Sequence, residues 1–287
     1  MKLMSFVRLG KCGFGAVVDD GIVDLTDRLE PGINSMKALI AADLLDAAAA
    51  FAAERRPDFA VSDVTLLPVI PDAGKILCVG LNYETHRAET KRPDNQHPTM
   101  FTRYADSQIA HGQPMIVPTV SDKLDFEGEM AVIIGRGGRC IPEDKALSHV
   151  AGYACYNDGT IRDWQRHTHQ FGPGKTFPGT GGFGPFMVTA DEVGDYSKLS
   201  IKTRLNGEIM QSATLADLIF PVERLIAYIS TYTPLSAGDV ILTGTPGGVG
   251  DRRDPPLYMK AGDVIEVEIS KLGRLVNPIA GEAAIAP

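Results

Sequence analysis

Leu124-Asp125-Phe126-Glu127-Gly128-Glu129-Met130-Ala131-Val132-Ile133-Ile134-Gly135 joins an acidic alternation to an apolar run. The second half, rich in β-branched residues, has the composition of a buried strand. The first half sets acids at every second position. In an extended chain residues two apart project to one face, so Glu127 and Glu129 would stand together at about 6.5–7 Å. On a helix they would diverge by about 200°. Two carboxylates on one face, leading into a strand too apolar for the surface, repel each other and lose hydration unless a positive charge lies between them. A divalent cation is the simplest such occupant. The competing reading is a solvated strand end whose acids face water, and the rest of the chain weighs against it.

Composition narrows the classes. The 287 residues, 44% hydrophobic and 22% charged, suffice for one large domain with or without a small appendage. The net charge of -8 and the lack of Lys/Arg runs argue against nucleic acid as a partner. No stretch reaches the roughly 18 apolar residues that span a bilayer, and Met1–Arg8 reads as a strand rather than a signal peptide. Cys12, Cys78, Cys140 and Cys155 are far apart with no CxxC, so neither a disulfide framework nor a zinc knuckle is indicated. A cytoplasmic setting fits this usage.

The boundary between a small N-terminal α+β domain (1–70) and a large domain (71–287) is expected in the proline-bearing segment Arg55–Gly74. The small domain reads as a meander of short strands followed by one alanine-rich helix, Met36 to about Glu54, capped near Asn34 or Ser35. The large domain opens with the strand Lys75–Gly80 and a short helix with Asn82 as N-cap. On that helix His86 and Glu89 are three apart and share a face, and a carboxylate beside an imidazole fixes its tautomer as a general base requires. Lys91–Gln96 is polar and reads as a lid loop, and Arg103, in the strand that follows, is a candidate anion contact. The 4-3-4 spacing of Asp158, Arg162, Gln165 and His169 predicts one stripe of a helix starting where the apolar strand Val150–Tyr156 ends. Asp158 there can supply a third carboxylate.

Lys175 is presented by a segment with six glycines and two prolines between Phe171 and Gly184. Gly174-Lys175-Thr176 matches the end of a phosphate loop, but the earlier glycine that motif needs is His169, which excludes it. His167 and His169 form an HxH that, without a cysteine or HExxH nearby, does not argue for zinc. Asn206-Gly207 between two β-patterned segments predicts a two-residue hairpin. Leu215–Tyr228 predicts a helix interrupted by Pro221, and Thr243–Gly250 is a glycine-rich loop without the GxGxxG order of a dinucleotide fold.

Taken in order, Val79-Gly80-Leu81-Asn82-Tyr83 with His86 and Glu89, the Asp125–Met130 segment, Gly152 through Asp158, Arg162 and Gln165, Gly174-Lys175, Asn206-Gly207-Glu208 and Gly238 through Gly250 resemble the fumarylacetoacetate hydrolase superfamily across residues 75–280. The resemblance implies an α+β fold, mostly β, in which rolled sheets form a β-sandwich-like catalytic domain, and commonly a homodimer. It implies Mg2+ or Mn2+ at Glu127, Glu129 and Asp158, with Ca2+ able to take the same ligands in crystals. It also implies roles: His86, oriented by Glu89, activates water; Arg162, Gln165 and Lys175 stabilise anionic oxygen; and Tyr83, Arg103 and Thr245 contact the substrate. Three departures stand out: Gly128 where a β-branched residue is usual, Arg103 where Lys is frequent, and Thr-Phe-Pro-Gly after Lys175.

All-oxygen ligation suits hard cations, and such an ion can chelate the 1-carboxylate and 2-oxo group of a 2-oxo acid. The leading expectation is therefore an acylpyruvate-type hydrolase. Hydroxide formed through His86 attacks the 4-carbonyl of a 2,4-dioxo acid, and cleavage between C3 and C4 expels the enolate of pyruvate or an analogue. Decarboxylation of oxaloacetate or a related acid, and isomerase or hydratase chemistry, use the same enolate. A protein that merely binds a metal or a small acid is the alternative of another class.

Overall fold

The computed structural model describes residues 1–90 and 96–282. It is built on a twelve-stranded mixed sheet in which Lys2–Arg8, Gly181–Thr189, Val150–Asp158, Gly128–Ile134, Val240–Leu242, Ile76–Gly80 and Thr99–Arg103 lie side by side in that order. A second sheet runs Glu208–Thr214, Ser200–Leu205, Val264–Ile269, Gly273–Gly281 and Met115–Val117. This is the strand-rich α+β class expected from the sequence.

Gly128–Ile134 is buried along its whole length, and period-two alternation splits its side chains between two cores. Met130, Val132 and Ile134 pack with the second sheet and with helix Val222–Tyr232, through Val267, Ile269, Leu225 and Ile229. Ala131 and Ile133 face a core shared with Met36, Leu39 and Phe14 of the N-terminal segment. Burial on both faces is why this strand reads as a continuous apolar run. The N-terminal strands extend the same sheet, since Lys2–Arg8 pairs with Gly181–Thr189. It is therefore continuous across the boundary expected near residue 70.

Local signals mostly translate. Asn206 and Gly207 both take positive φ, 53° and 84°, and close the hairpin between Ser200–Leu205 and Glu208–Thr214. Two helix expectations need correction. The N-terminal helix is two, Met36–Ala41 and Leu45–Ala53, because Asp43 between them adopts a left-handed φ of 57°. Ser35 caps the first, accepting from the Ala38 N–H. Pro221 starts a helix instead of interrupting one: Val222–Tyr232 follows it, and only a 3-10 turn, Leu215–Asp217, precedes it. Among the described residues no helix is long and apolar enough to cross a membrane. The lid expected at Lys91–Gln96 falls mostly on residues 91–95, outside the described residues.

Candidate metal centre and active site

Glu127 and Glu129 project together as the alternation implied and Asp158 joins them, with one carboxylate oxygen of each within 4.8 Å of the others. Their meeting follows from strand pairing. Gly128 is opposite Asn157 and Glu129 opposite Tyr156, while the Asp158 N–H donates to the Glu127 carbonyl at 2.8 Å. The acids thus sit at the adjoining ends of two central antiparallel strands, all buried.

Asp158 reaches the cluster from the end of strand Val150–Asp158, and this corrects the predicted helix stripe. Thr160–Ile161 continues as a short strand paired with Leu124–Asp125. The helix is the single turn Arg162–Gln165, and His169 lies beyond it, exposed. The non-local ladder wins over the 4-3-4 spacing.

Cations surround two of the three acids. Lys175 Nζ donates to Glu127 at 2.7 Å and to Asp158 at 2.5 Å, and Arg162 Nη1 reaches the other Glu127 oxygen at 2.7 Å. Burial alone would push the Glu127 carboxyl up, but Lys175 and Arg162 outweigh it and hold it at about 2. Glu129 differs: its carboxylate accepts the Gly244 N–H at 2.8 Å and, among the described residues, has no ion pair. Burial, together with the charges of Asp158 and Glu127, raises it well above the usual carboxylate range. A buried acid short of positive charge beside two further carboxylates fits a hard divalent cation on an all-oxygen set, as Mg2+ and Mn2+ prefer.

The centre opens into a cavity of about 430 Å³, lined on its inner side by His86, Glu127, Glu129, Arg162, Lys175 and Thr245. His86 lies on helix Glu84–Thr90, and its Nδ1 is 2.7 Å from Glu89 Oε1. The other Glu89 oxygen accepts the Gly248 N–H at 2.9 Å, so the carboxylate is fixed from two directions. An ionised Glu89 places the proton on Nδ1, leaving Nε2 to accept one. The helix starts at Glu84; Asn82 does not cap it, because its side chain donates to the Phe220 and Thr243 carbonyls and ties this loop to the core.

Arg162 and Gln165 are brought together on their turn at 3.1 Å, both lining the cavity. Arg162 Nη2 is buried and, among the described residues, unpartnered, a donor available to an anion. Arg103 does not contact the cavity, which corrects its expected anion contact. It is 2% exposed, and its guanidinium bonds Asp158 at 2.6 Å, the Gly159 carbonyl at 2.9 Å and Thr180 at 2.8 Å. Its charge is drawn inward by the buried carboxylate. Tyr83 is likewise withdrawn, packed in the core at 1% exposure. Thr245 lines the cavity, but its hydroxyl donates to the Gly128 carbonyl and accepts from Gln211 Nε2, tying it to the strand.

Asp125 received no role from sequence. Fully buried, it accepts from Arg162 Nε and from the backbone N–H groups of Gly250 and Asp251. The signal was present in the acid-x-acid-x-acid spacing of Asp125, Glu127 and Glu129.

These features define a class: α+β proteins of rolled sheets with a buried acidic centre at adjoining strand ends. Residues 75–280 match the model described as fumarylacetoacetate (FAA) hydrolase C-terminal, and the chain belongs to the fumarylacetoacetate hydrolase family. It is 40% identical over 220 residues to oxaloacetate tautomerase FAHD2A, mitochondrial, of Homo sapiens, covering 76% of this chain and 70% of that protein. A putative HpcE protein from Mycobacterium smegmatis overlaps 98% of this chain and all of its own, with a TM-score of 0.88 and 32% identity. Maleylpyruvate hydrolase from Sphingobium sp. SYK-6, solved with manganese(II) and pyruvate, overlaps 98% of this chain and 99% of its own, with a TM-score of 0.81 and 26% identity.

Proposed function

We propose that this enzyme moves a proton between carbon and oxygen of a 2-oxo acid, interconverting the enol and keto forms of an oxaloacetate-type substrate. The observation that carries the reading is His86, held by Glu89 at 2.7 Å and opening on the same cavity as the carboxylate triad. Glu127, Glu129 and Asp158 would hold Mg2+ or Mn2+, which when bound supplies positive charge to a 2-oxo group. His86 Nε2 accepts the proton from C3, and Glu89 stabilises the imidazolium that results. Arg162 Nη2 and Gln165 offer donors to the oxygen on which charge develops. Returning the proton to that oxygen gives the enol, and the reverse sequence gives the ketone. The tautomerase relative at 40% identity favours this over the hydrolysis with which the sequence reading led.

Hydrolysis of a 2,4-dioxo acid is the second reading, favoured by the likeness to the pyruvate-bound maleylpyruvate hydrolase along nearly the whole chain. There His86 takes a proton from the water attacking the 4-carbonyl, the C3–C4 bond breaks, and the enolate of pyruvate leaves with a carboxylic acid as co-product. Purified protein is incubated with Mn2+, or with EDTA, and either enol-rich oxaloacetate or acetylpyruvate. Metal-dependent loss of enol absorbance without CO2 supports tautomerisation. Release of acetate and pyruvate from acetylpyruvate supports hydrolysis, CO2 from oxaloacetate supports decarboxylation, and no turnover of either acid overturns the proposal.

A further inference from the structure

The outer end of the cavity carries a charge arrangement that enolisation alone does not use. Arg166 and Arg252 line it together with Asp251. Arg166 follows Arg162 by four residues and is the C-cap residue just past the Arg162–Gln165 turn, and both side chains line the cavity. Arg162 is buried at the acid centre, whereas the Arg166 and Arg252 side chains are 48% and 38% exposed.

Asp251 organises the outer pair. Its carboxylate pairs with Arg166 Nη2, lies 3.4 Å from Arg252 Nε and accepts the Tyr258 hydroxyl at 2.9 Å. Its backbone N–H donates to Asp125 Oδ2 at 2.9 Å, the same oxygen that holds Arg162 Nε at 2.8 Å. One buried carboxylate oxygen therefore sets the inner arginine and the outer pair in register. Two guanidiniums against one aspartate leave a surplus positive charge, and the unshared N–H groups remain available to a second anion.

We infer that Arg166 and Arg252, staged by Asp251, form a second-carboxylate subsite that selects dicarboxylic over monocarboxylic acids. The inference rests on reading the cavity as a 2-oxo acid site, and it assigns the specificity of that site to its rim. A substrate held at the acid centre by its 1-carboxylate and 2-oxygen extends the rest of its chain within the same cavity toward the pair.

Binding separates this inference from the turnover reading. Malate and lactate are both 2-hydroxy acids and differ in the second carboxylate. Their affinities for the Mn2+-loaded protein are measured by titration calorimetry, for wild type and for R166Q/R252Q, whose half-exposed positions tolerate the change. The wild type is expected to favour malate by about tenfold or more, as charge-assisted hydrogen bonds give. The double variant should bring the two acids to near-equal affinity by weakening malate alone. A wild-type ratio near one, no binding of either acid, or a ratio unchanged in the variant overturns the subsite. Absence of turnover with oxaloacetate and acetylpyruvate would instead overturn the proposed reaction and leave the malate-to-lactate ratio to decide the subsite.

Discussion

A Cβ built on Gly128 would lie 2.0 Å from Thr203 Oγ1, so the side chain of the second sheet occupies the space that a residue between Glu127 and Glu129 would otherwise fill. This accounts for the glycine between the two acids. Gly128→Val should destabilise the protein by about 1–3 kcal/mol through overpacking. G128V/T203A should recover part of that loss, which urea denaturation of the three proteins measures. Equal stability of the single and double variants would show that Thr203 is not the obstacle.

Removing the imidazole while sparing the acids tests whether the protein is an enzyme or only a binder. His86→Ala should lower the rate about 10²–10⁴-fold, the usual contribution of a positioned general base. Mn2+ affinity should change little, because His86 is not among the clustered carboxylates. Steady-state kinetics beside Mn2+ titration reads both, and an unchanged rate would favour the binding-only view.

The carboxylates give metal-free protein a pH dependence of two signs. Glu129, raised by burial and by neighbouring charge, binds a proton more tightly folded than unfolded. Its contribution therefore falls as pH rises above the ordinary glutamate value of 4.5. Glu127, held down by Lys175 and Arg162 against its burial, contributes stability above 4.5 that is lost as pH falls toward 2. In EDTA, Glu129→Gln should flatten the first slope while keeping the acceptor for the Gly244 N–H, and it should weaken Mn2+ binding. Melting curves across pH decide this; a slope identical to that of wild type would remove Glu129 as its source.

Arg103 and Asp158 form an ion pair with no exposed side-chain surface on either partner. Arg103→Ala removes one of the two cations paired with the buried Asp158, leaving only Lys175, and should cost about 3 kcal/mol. Arg103→Lys keeps the charge but loses the fork that reaches Asp158, Gly159 and Thr180 together, and should cost less. Thermal melts rank the three proteins, and a tolerated alanine would deny Arg103 its hold on Asp158.

Much of the centre was legible in the sequence because it depends on short-range geometry. Glu127 and Glu129 share a face by strand periodicity, His86 and Glu89 by helical spacing, and Asn206-Gly207 closes a hairpin on its own backbone preference. What sequence misplaced depends on distant partners. The spacing from Asp158 to His169 suits a helix, yet pairing of Thr160–Ile161 with Leu124–Asp125 keeps the chain extended. Arg103 looks like a surface cation until Asp158, fifty-five residues on, draws it inside. The Asp251 rim left no pattern, since backbone bonds to Asp125 from a distant loop define it.

Glu129 belongs to a strand flanked on both edges by hydrogen-bonded neighbours, Val150–Asp158 and Val240–Leu242. A ligand rooted there has no hinge of its own, so the acids cannot be pulled apart by a local fluctuation that leaves the sheet intact. The amides of Met130–Ile133 should then exchange with solvent only through opening of the whole sheet. An ion captured by the triad would raise their protection and that of the two cores together, which makes cation occupancy and the cooperativity of the fold a single thermodynamic quantity.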